Sequence, residues 1–382
     1  MQPEPFQINV AQEILDDLKR RLARTRWTDE VNGAGWDYGT NLSYLKELAA
    51  YWQEKYNWRT QEAALNQLHH FKVEVDGLSI HFIHERGKGS NPMPIILSHG
   101  WPDSFYRFVK VIPMLSDPAS YGGEAADSFD VIVPSLPGYG FSERPHEPGM
   151  NQEQMAELWT KLMTDVLGYH KFAAAAGDMG RTVTERLAWR HPELLYGIHL
   201  TDMSYNIQEM PDPSTLSEAE KKYMEAGQKW GMAEGAYGMI QGTKPQTLSY
   251  GLNDSPVGLA GWLVEKFRAW SDCNGDVEKR FSKDELLTNL MIYWVTETIN
   301  SANRLYKETL SLPQMKADEH IDVPAAFAIF PKDMVPLPRE SAERVFNVQR
   351  WTEMPRGGHF AAFEEPELYA EDVRAFFRQF RS

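Results

Sequence analysis

Asp178 lies in Ala176-Gly177-Asp178-Met179-Gly180, between the apolar run Phe172 to Ala176 and the helical stretch Arg181 to Arg190. Small residues on both sides let a strand turn sharply into a helix. Such a turn strains its central residue and lifts that side chain clear of the backbone. A carboxylate placed there needs no base to become a nucleophile, because a group with a pKa of about 3.9 is ionised at neutral pH. It can attack an sp3 carbon directly, and the first turn of the following helix favours its charge. Gly-Asp before a helix also serves as a plain N-cap, so the partners decide between the two readings.

The partners come late in the chain. His359, in Gly357-Gly358-His359-Phe360, follows two glycines that free its loop to set the imidazole over a sheet. Asp333 stands just beyond the apolar run Ala325 to Phe330 and is the expected orienting acid for that imidazole. Asp322 precedes the same run and falls at the wrong end of a strand, while Glu364 and Glu365 are weaker competitors. The order Asp178, Asp333, His359 is the nucleophile, acid, base order of α/β-hydrolases. Ser98-His99-Gly100-Trp101-Pro102 follows the run Ile95 to Leu97, where that fold keeps its second oxyanion donor. The backbone amides of Trp101 and Met179 are therefore the expected oxyanion hole; Pro102 has no N–H to offer. Trp101, Pro102 and Met179 are the expected pocket lining.

Several elements must position these groups. Residues 8 to 66 carry helical spacing, with Ile14, Leu15, Leu18 and Leu22 on one face. The arm 1–66 is expected to pack on the core that follows. From Phe71 the pattern alternates around Asp76-Gly77, which marks a hairpin. Pro94 to Leu97, Val131 to Val133 and Phe172 to Ala176 are short unbroken apolar runs, as in strands buried on both faces. Strand and helix then alternate again after Val323, so the expected fold is α/β: a mostly parallel eight-stranded sheet with helices on both faces. The core spans 67–203 and 316–382. Between them, 204–315 is helical and rich in Tyr, Trp and Met, and its place after a strand makes it a lid over the carboxyl ends of the sheet.

Composition narrows the function. Of 382 residues, 42% are hydrophobic and 12% aromatic, enough for one large core. A net charge of -15 with no basic stripe argues against nucleic acid. Cys273 is the only cysteine, so no intrachain disulfide, zinc cluster or thiol redox pair is expected. With neither a secretory leader nor a membrane anchor in the sequence, the expected location is the cytoplasm.

The chain also resembles the microsomal-type epoxide hydrolases, the branch that includes the juvenile-hormone hydrolases. The resemblance rests on His99-Gly100-Trp101-Pro102, on Gly177-Asp178 and on Asn253-Asp254-Ser255-Pro256-Val257-Gly258-Leu259. It extends to Thr288-Asn289-Leu290-Met291-Ile292-Tyr293-Trp294 and to Arg356 through Glu367, so it spans nearly the whole chain. It implies hydrolysis of an epoxide to a vicinal diol through an aspartyl ester. It also implies that Tyr237 and Tyr306, both in the lid, donate to the epoxide oxygen. Met179 departs from the pattern, since the family commonly has Trp after the nucleophile. No metal or organic cofactor is implied. The expected partner is a small apolar epoxide, with no membrane anchor, and a homodimer is left open. Two rival readings share the layout: a haloalkane dehalogenase, against which Met179 counts because it has no indole N–H, and a non-catalytic binder of apolar ligands.

Overall fold

The computed structural model describes residues 2–202, 214, 216–316 and 319–381. Nine strands form one sheet: β1 (Glu4–Phe6), β2 (His70–Val75), β3 (Leu78–Glu85), β4 (Met93–Ser98), β5 (Phe129–Pro134), β6 (Phe172–Ala176), β7 (Leu195–Leu200), β8 (Ile321–Ile329) and β9 (Phe346–Glu353). Their spatial order is β1-β2-β3-β5-β4-β6-β7-β8-β9, antiparallel from β1 to β5 and parallel from there to β9. The sheet thus has nine strands where eight were expected. The ninth is β1, three residues long and therefore too short to show an alternating pattern. It pairs with β2, and its Phe6 ring packs on His81 and Phe141.

Local chemistry explains the elements that matter for the site. In the β2–β3 hairpin Asp76 and Gly77 both take positive φ, 49° and 78°, as a two-residue primed turn requires. β5 and β6 are buried along their whole length, which is why they read as unbroken apolar runs. Asn151 caps the helix Gln152–Lys161 by accepting from the amides of Glu153 and Gln154.

Between β7 and β8 the described residues include six α-helices, from Glu218–Glu234 to Ile299–Thr309, and no strand. The expected division at residue 204 lies outside the described residues. The N-terminal arm meets the core through β1, but its helices reach these inserted ones. Tyr51 Oη donates to Asp284 at 2.9 Å, and Tyr56 Oη lies 3.1 Å from Thr288 Oγ1. Among the described residues no helix is long and apolar enough to cross a membrane.

Candidate active site

β4, β6, β7 and β8 run parallel and end at Ser98, Ala176, Leu200 and Ile329. The loops beyond them bring Trp101, Asp178, Asp202 and Asp333 to the carboxyl edge of the sheet, the place where open α/β sheets bind ligands. Asp178 opens the helix Asp178–Arg190 with φ at 56°, a left-handed conformation that costs a non-glycine residue on the order of 1–2 kcal/mol. Two glycines allow it. A Cβ on Gly180 would come within 2.3 Å of the Ser98 carbonyl, and one on Gly100 within 2.1 Å of Asp178 Oδ1.

The carboxylate of Asp178 accepts from Trp101 N at 2.7 Å and also from the amide of Met179. His359 Nε2 stands 3.2 Å from Asp178 Oδ2 but off the line of a hydrogen bond, so that nitrogen has no bonded partner. The other ring nitrogen, Nδ1, lies 2.9 Å from Asp333 Oδ1, which also accepts from Met334 N. All three side chains are buried or nearly so. Burial alone would push the Asp178 carboxyl up; the His359 imidazolium and the two amides outweigh it and hold it at about 2. For His359 burial works downward, yet the carboxylates of Asp333 and Asp178 on either side raise it to about 10. Both shifts favour the ion-pair form, an imidazolium beside the two carboxylates.

Above the nucleophile lies a cavity of about 210 Å³. Asp178, Met179, Asp202 and Asp333 line it on one side, with Tyr237 and Tyr306 from the inserted helices and an apolar wall of Trp230 and Met334 to Leu337. The two tyrosines hydrogen-bond each other, and both phenols are held above their usual range, hence protonated: Tyr237 by burial and then the charge of Asp178, Tyr306 by burial, then Tyr237 and then Asp178. Of the three residues expected to line the pocket, Met179 does so, its sulfur held 3.3 Å from Gln152 Nε2. Trp101 and Pro102 stand outside the lining. The Trp101 indole is covered instead, stacked on Tyr237 at 5.1 Å and edge-on to Trp270.

The histidine loop is fastened from both sides. His359 N donates to the Trp270 carbonyl at 2.8 Å, and Arg107 donates to the His359 carbonyl. Arg107 also pairs with Asp103, which in turn accepts from Gly100 N, so one buried ion pair ties the loop of the oxyanion donor to the loop of the imidazole. Glu364 accepts from the amides of Gly358 and Phe360, on either side of His359, and from Asp272 N among the inserted helices. Glu365 binds Arg280 and Arg356, and Asp322 lies exposed beside His320 at the start of β8. None of these three carboxylates replaces Asp333 beside the imidazole.

Sequence reasoning passed over Arg107, Asp103 and Asp202. Asp202 was accessible to it: Thr201-Asp202 directly follows β7, the position from which this sheet presents its other functional carboxylates. Among the described residues no group of His, Cys, Asp and Glu is arranged to hold a metal ion.

Known proteins share this architecture. Residues 3–108 match the family model for the epoxide hydrolase N terminus, and residues 93–234 match the alpha/beta hydrolase fold. Epoxide hydrolase 1 of Sus scrofa is 37% identical over 405 aligned positions, covering 97% of this chain and 88% of that protein. Among solved structures, the Aspergillus niger epoxide hydrolase superposes with a TM-score of 0.87 at 30% identity, covering 99% of this chain and 97% of that one. The juvenile hormone epoxide hydrolase of Bombyx mori gives 0.86 at 31% identity, covering 99% and 94%.

Proposed function

The chain belongs to the epoxide hydrolase family of α/β-hydrolases, and from that premise we propose that it converts an epoxide to a vicinal diol through an ester on Asp178. One observation carries the reading. A charged carboxylate, held by two amides and facing a cavity, has beside it an imidazole whose far nitrogen is fixed by a second carboxylate.

In the first step an Asp178 oxygen bonds to a ring carbon and the ring C–O bond breaks. Tyr237 and Tyr306 donate to the departing oxygen, and one of them gives up its proton as the oxygen becomes a hydroxyl. The proton carried by the resting His359 replaces the one lost by the phenol, which leaves His359 neutral. Esterification has meanwhile removed the negative charge of Asp178, so one of the two carboxylates that held the imidazole protonated is lost just when a base is needed. His359 then takes a proton from water, and the hydroxide adds to the ester carbonyl. The amides of Trp101 and Met179 stabilise the tetrahedral oxyanion. Its collapse frees the diol and returns Asp178 as carboxylate beside an imidazolium. Water and epoxide are consumed one for one, and this chain's own residues supply every proton transfer. Residues 1–66 serve as an arm and 204–315 as the cap over a core of 67–203 and 316–382.

The decisive experiment uses His359→Gln with styrene oxide and intact-mass detection. An adduct of one epoxide on the Asp178 peptide is expected, formed more slowly when Tyr237→Phe or Tyr306→Phe is added. No adduct with any epoxide, together with halide release from haloalkanes, would sink the reading in favour of dehalogenation.

A further inference from the structure

Asp202 is a half-buried carboxyl that lines the cavity, one strand over from the nucleophile. Both of its oxygens lie near the Asp178 amide, at 3.2 and 3.3 Å, and Arg181 Nε is 3.8 Å from Oδ2. Asp178 N is held by only one bond's worth of donor, so the four lone-pair sites of the carboxylate are not exhausted by it. The mechanism above uses neither Asp202 nor Arg181. Burial, with Asp333 and Asp178 nearby, raises the Asp202 carboxyl, while Arg181 and His359 oppose the rise. A carboxyl in this position has lone pairs left to accept a hydrogen bond from an occupant. Trp230 and Met334 to Leu337 carry no charged group, and Tyr223 adds a phenol to the lining. The charged side chains of the cavity are therefore Asp178, Arg181, Asp202 and Asp333, and the rest of its lining is uncharged and mostly apolar.

The charges around Asp202 select the cavity's occupant. Three carboxylates, Asp178, Asp202 and Asp333, face one imidazolium and one guanidinium, so a further anion is repelled. An ammonium group would meet Arg181 at the same place. A neutral hydroxyl satisfies both constraints. We propose that Asp202 is a specificity-determining residue that binds a hydroxyl on the carbon next to the epoxide, so that the preferred substrates are epoxy alcohols carrying an apolar remainder. This rests on the epoxide-opening role of Asp178 and refines the apolar substrate expected from the lid. A site built around a buried polar group also rejects the analogue that leaves the group unpaired, which makes discrimination by one hydroxyl far larger than discrimination by one methylene.

The test compares glycidol with 1,2-epoxybutane, which differ mainly by a hydroxyl in place of a methyl. In Asp202→Leu the ratio of kcat/KM values, glycidol over epoxybutane, falls at least about tenfold, whereas Asp202→Asn keeps it within about threefold. A role confined to anchoring the Asp178 amide would slow both substrates by the same factor in Asp202→Leu, and that result overturns the proposal. Should Asp202→Leu fail to fold, inhibition of the unaltered enzyme decides: glycerol must bind more tightly than 1,2-butanediol, and equal or weaker binding overturns it. Turnover of epoxybutane with an unchanged ratio removes the subsite alone. No turnover of any epoxide removes the parent reading with it.

Discussion

Among the described residues two buried histidines stand within hydrogen-bonding distance of a carboxylate at one ring nitrogen, His359 beside Asp333 and His199 beside Asp372, and of these carboxylates Asp333 lines the cavity above the nucleophile. His359 Nδ1 lies 2.9 Å from Asp333, and its other nitrogen stands 3.2 Å from Asp178. His199, on β7, lies 2.8 Å from Asp372 of the helix Pro366–Phe377, at least as close. The surroundings differ. Asp372 also accepts two donors from Arg350 and one from Thr352, and the free nitrogen of His199 is buried without a hydrogen-bond partner, near the ring of Tyr369. The lesson is that a carboxylate–histidine contact is not in itself a base. What sets His359 apart is a second carboxylate, Asp178, which stands 3.2 Å from its other nitrogen, lines the cavity and is the group consumed in the proposed reaction.

The sharpest way to break this comparison is to neutralise each acid in turn. Asp333→Asn should slow ester hydrolysis by roughly 10³–10⁴-fold, the scale on which a catalytic imidazole loses its tautomer. Asp372→Asn should leave turnover per folded molecule within about twofold. Single-turnover rates on both variants settle it, and equal losses would erase the distinction.

Stability should show the reverse order. Burial raises the Asp372 carboxyl, but His199, Arg350 and Thr352 outweigh burial and hold it at about 2. Removing its charge should cost about 2–4 kcal/mol in denaturant unfolding. Because this carboxyl is depressed relative to the unfolded chain, its contribution is present above about pH 4 and is lost as pH falls toward 2. The gap between unaltered protein and Asp372→Asn should accordingly close over that interval. A gap that stays constant down to pH 2 would assign the loss to packing instead.

A finer test follows His359 by NMR. Its imidazole is raised to about 10 by two carboxylates, so Asp178→Asn, which mimics the uncharged ester, should deprotonate at a lower pH than the unaltered protein. An unchanged or higher midpoint would mean that Asp178 does not govern the base.

Much of this was legible before any coordinates. The elbow at Asp178 announced itself through Gly177 and Gly180, and β5 and β6 through their unbroken apolar residues. Tyr237 and Tyr306 could be picked from 16 tyrosines only through the resemblance, because a tyrosine on a helix looks the same whether it packs or donates. β1 was missed because three residues cannot display a period. Arg107 was missed for another reason: its partner, the His359 carbonyl, lies 252 positions away, and no local pattern encodes such a distance, whereas Asp202 stood in view just after β7 and only its link to the Asp178 amide was hidden.

The Trp270 carbonyl that accepts from the His359 amide, and the Asp272 amide that donates to Glu364, both belong to the stretch inserted between β7 and β8. The insertion is thus stitched to the loop that carries the imidazole, and Arg280 adds a further thread to Glu365. Exchanging this module between homologues, by recombination or by an engineer, has to carry the seam across intact. A chimera whose crossover parts residues 270–280 from 356–365 would inherit a roof that fits and a histidine that no longer aims.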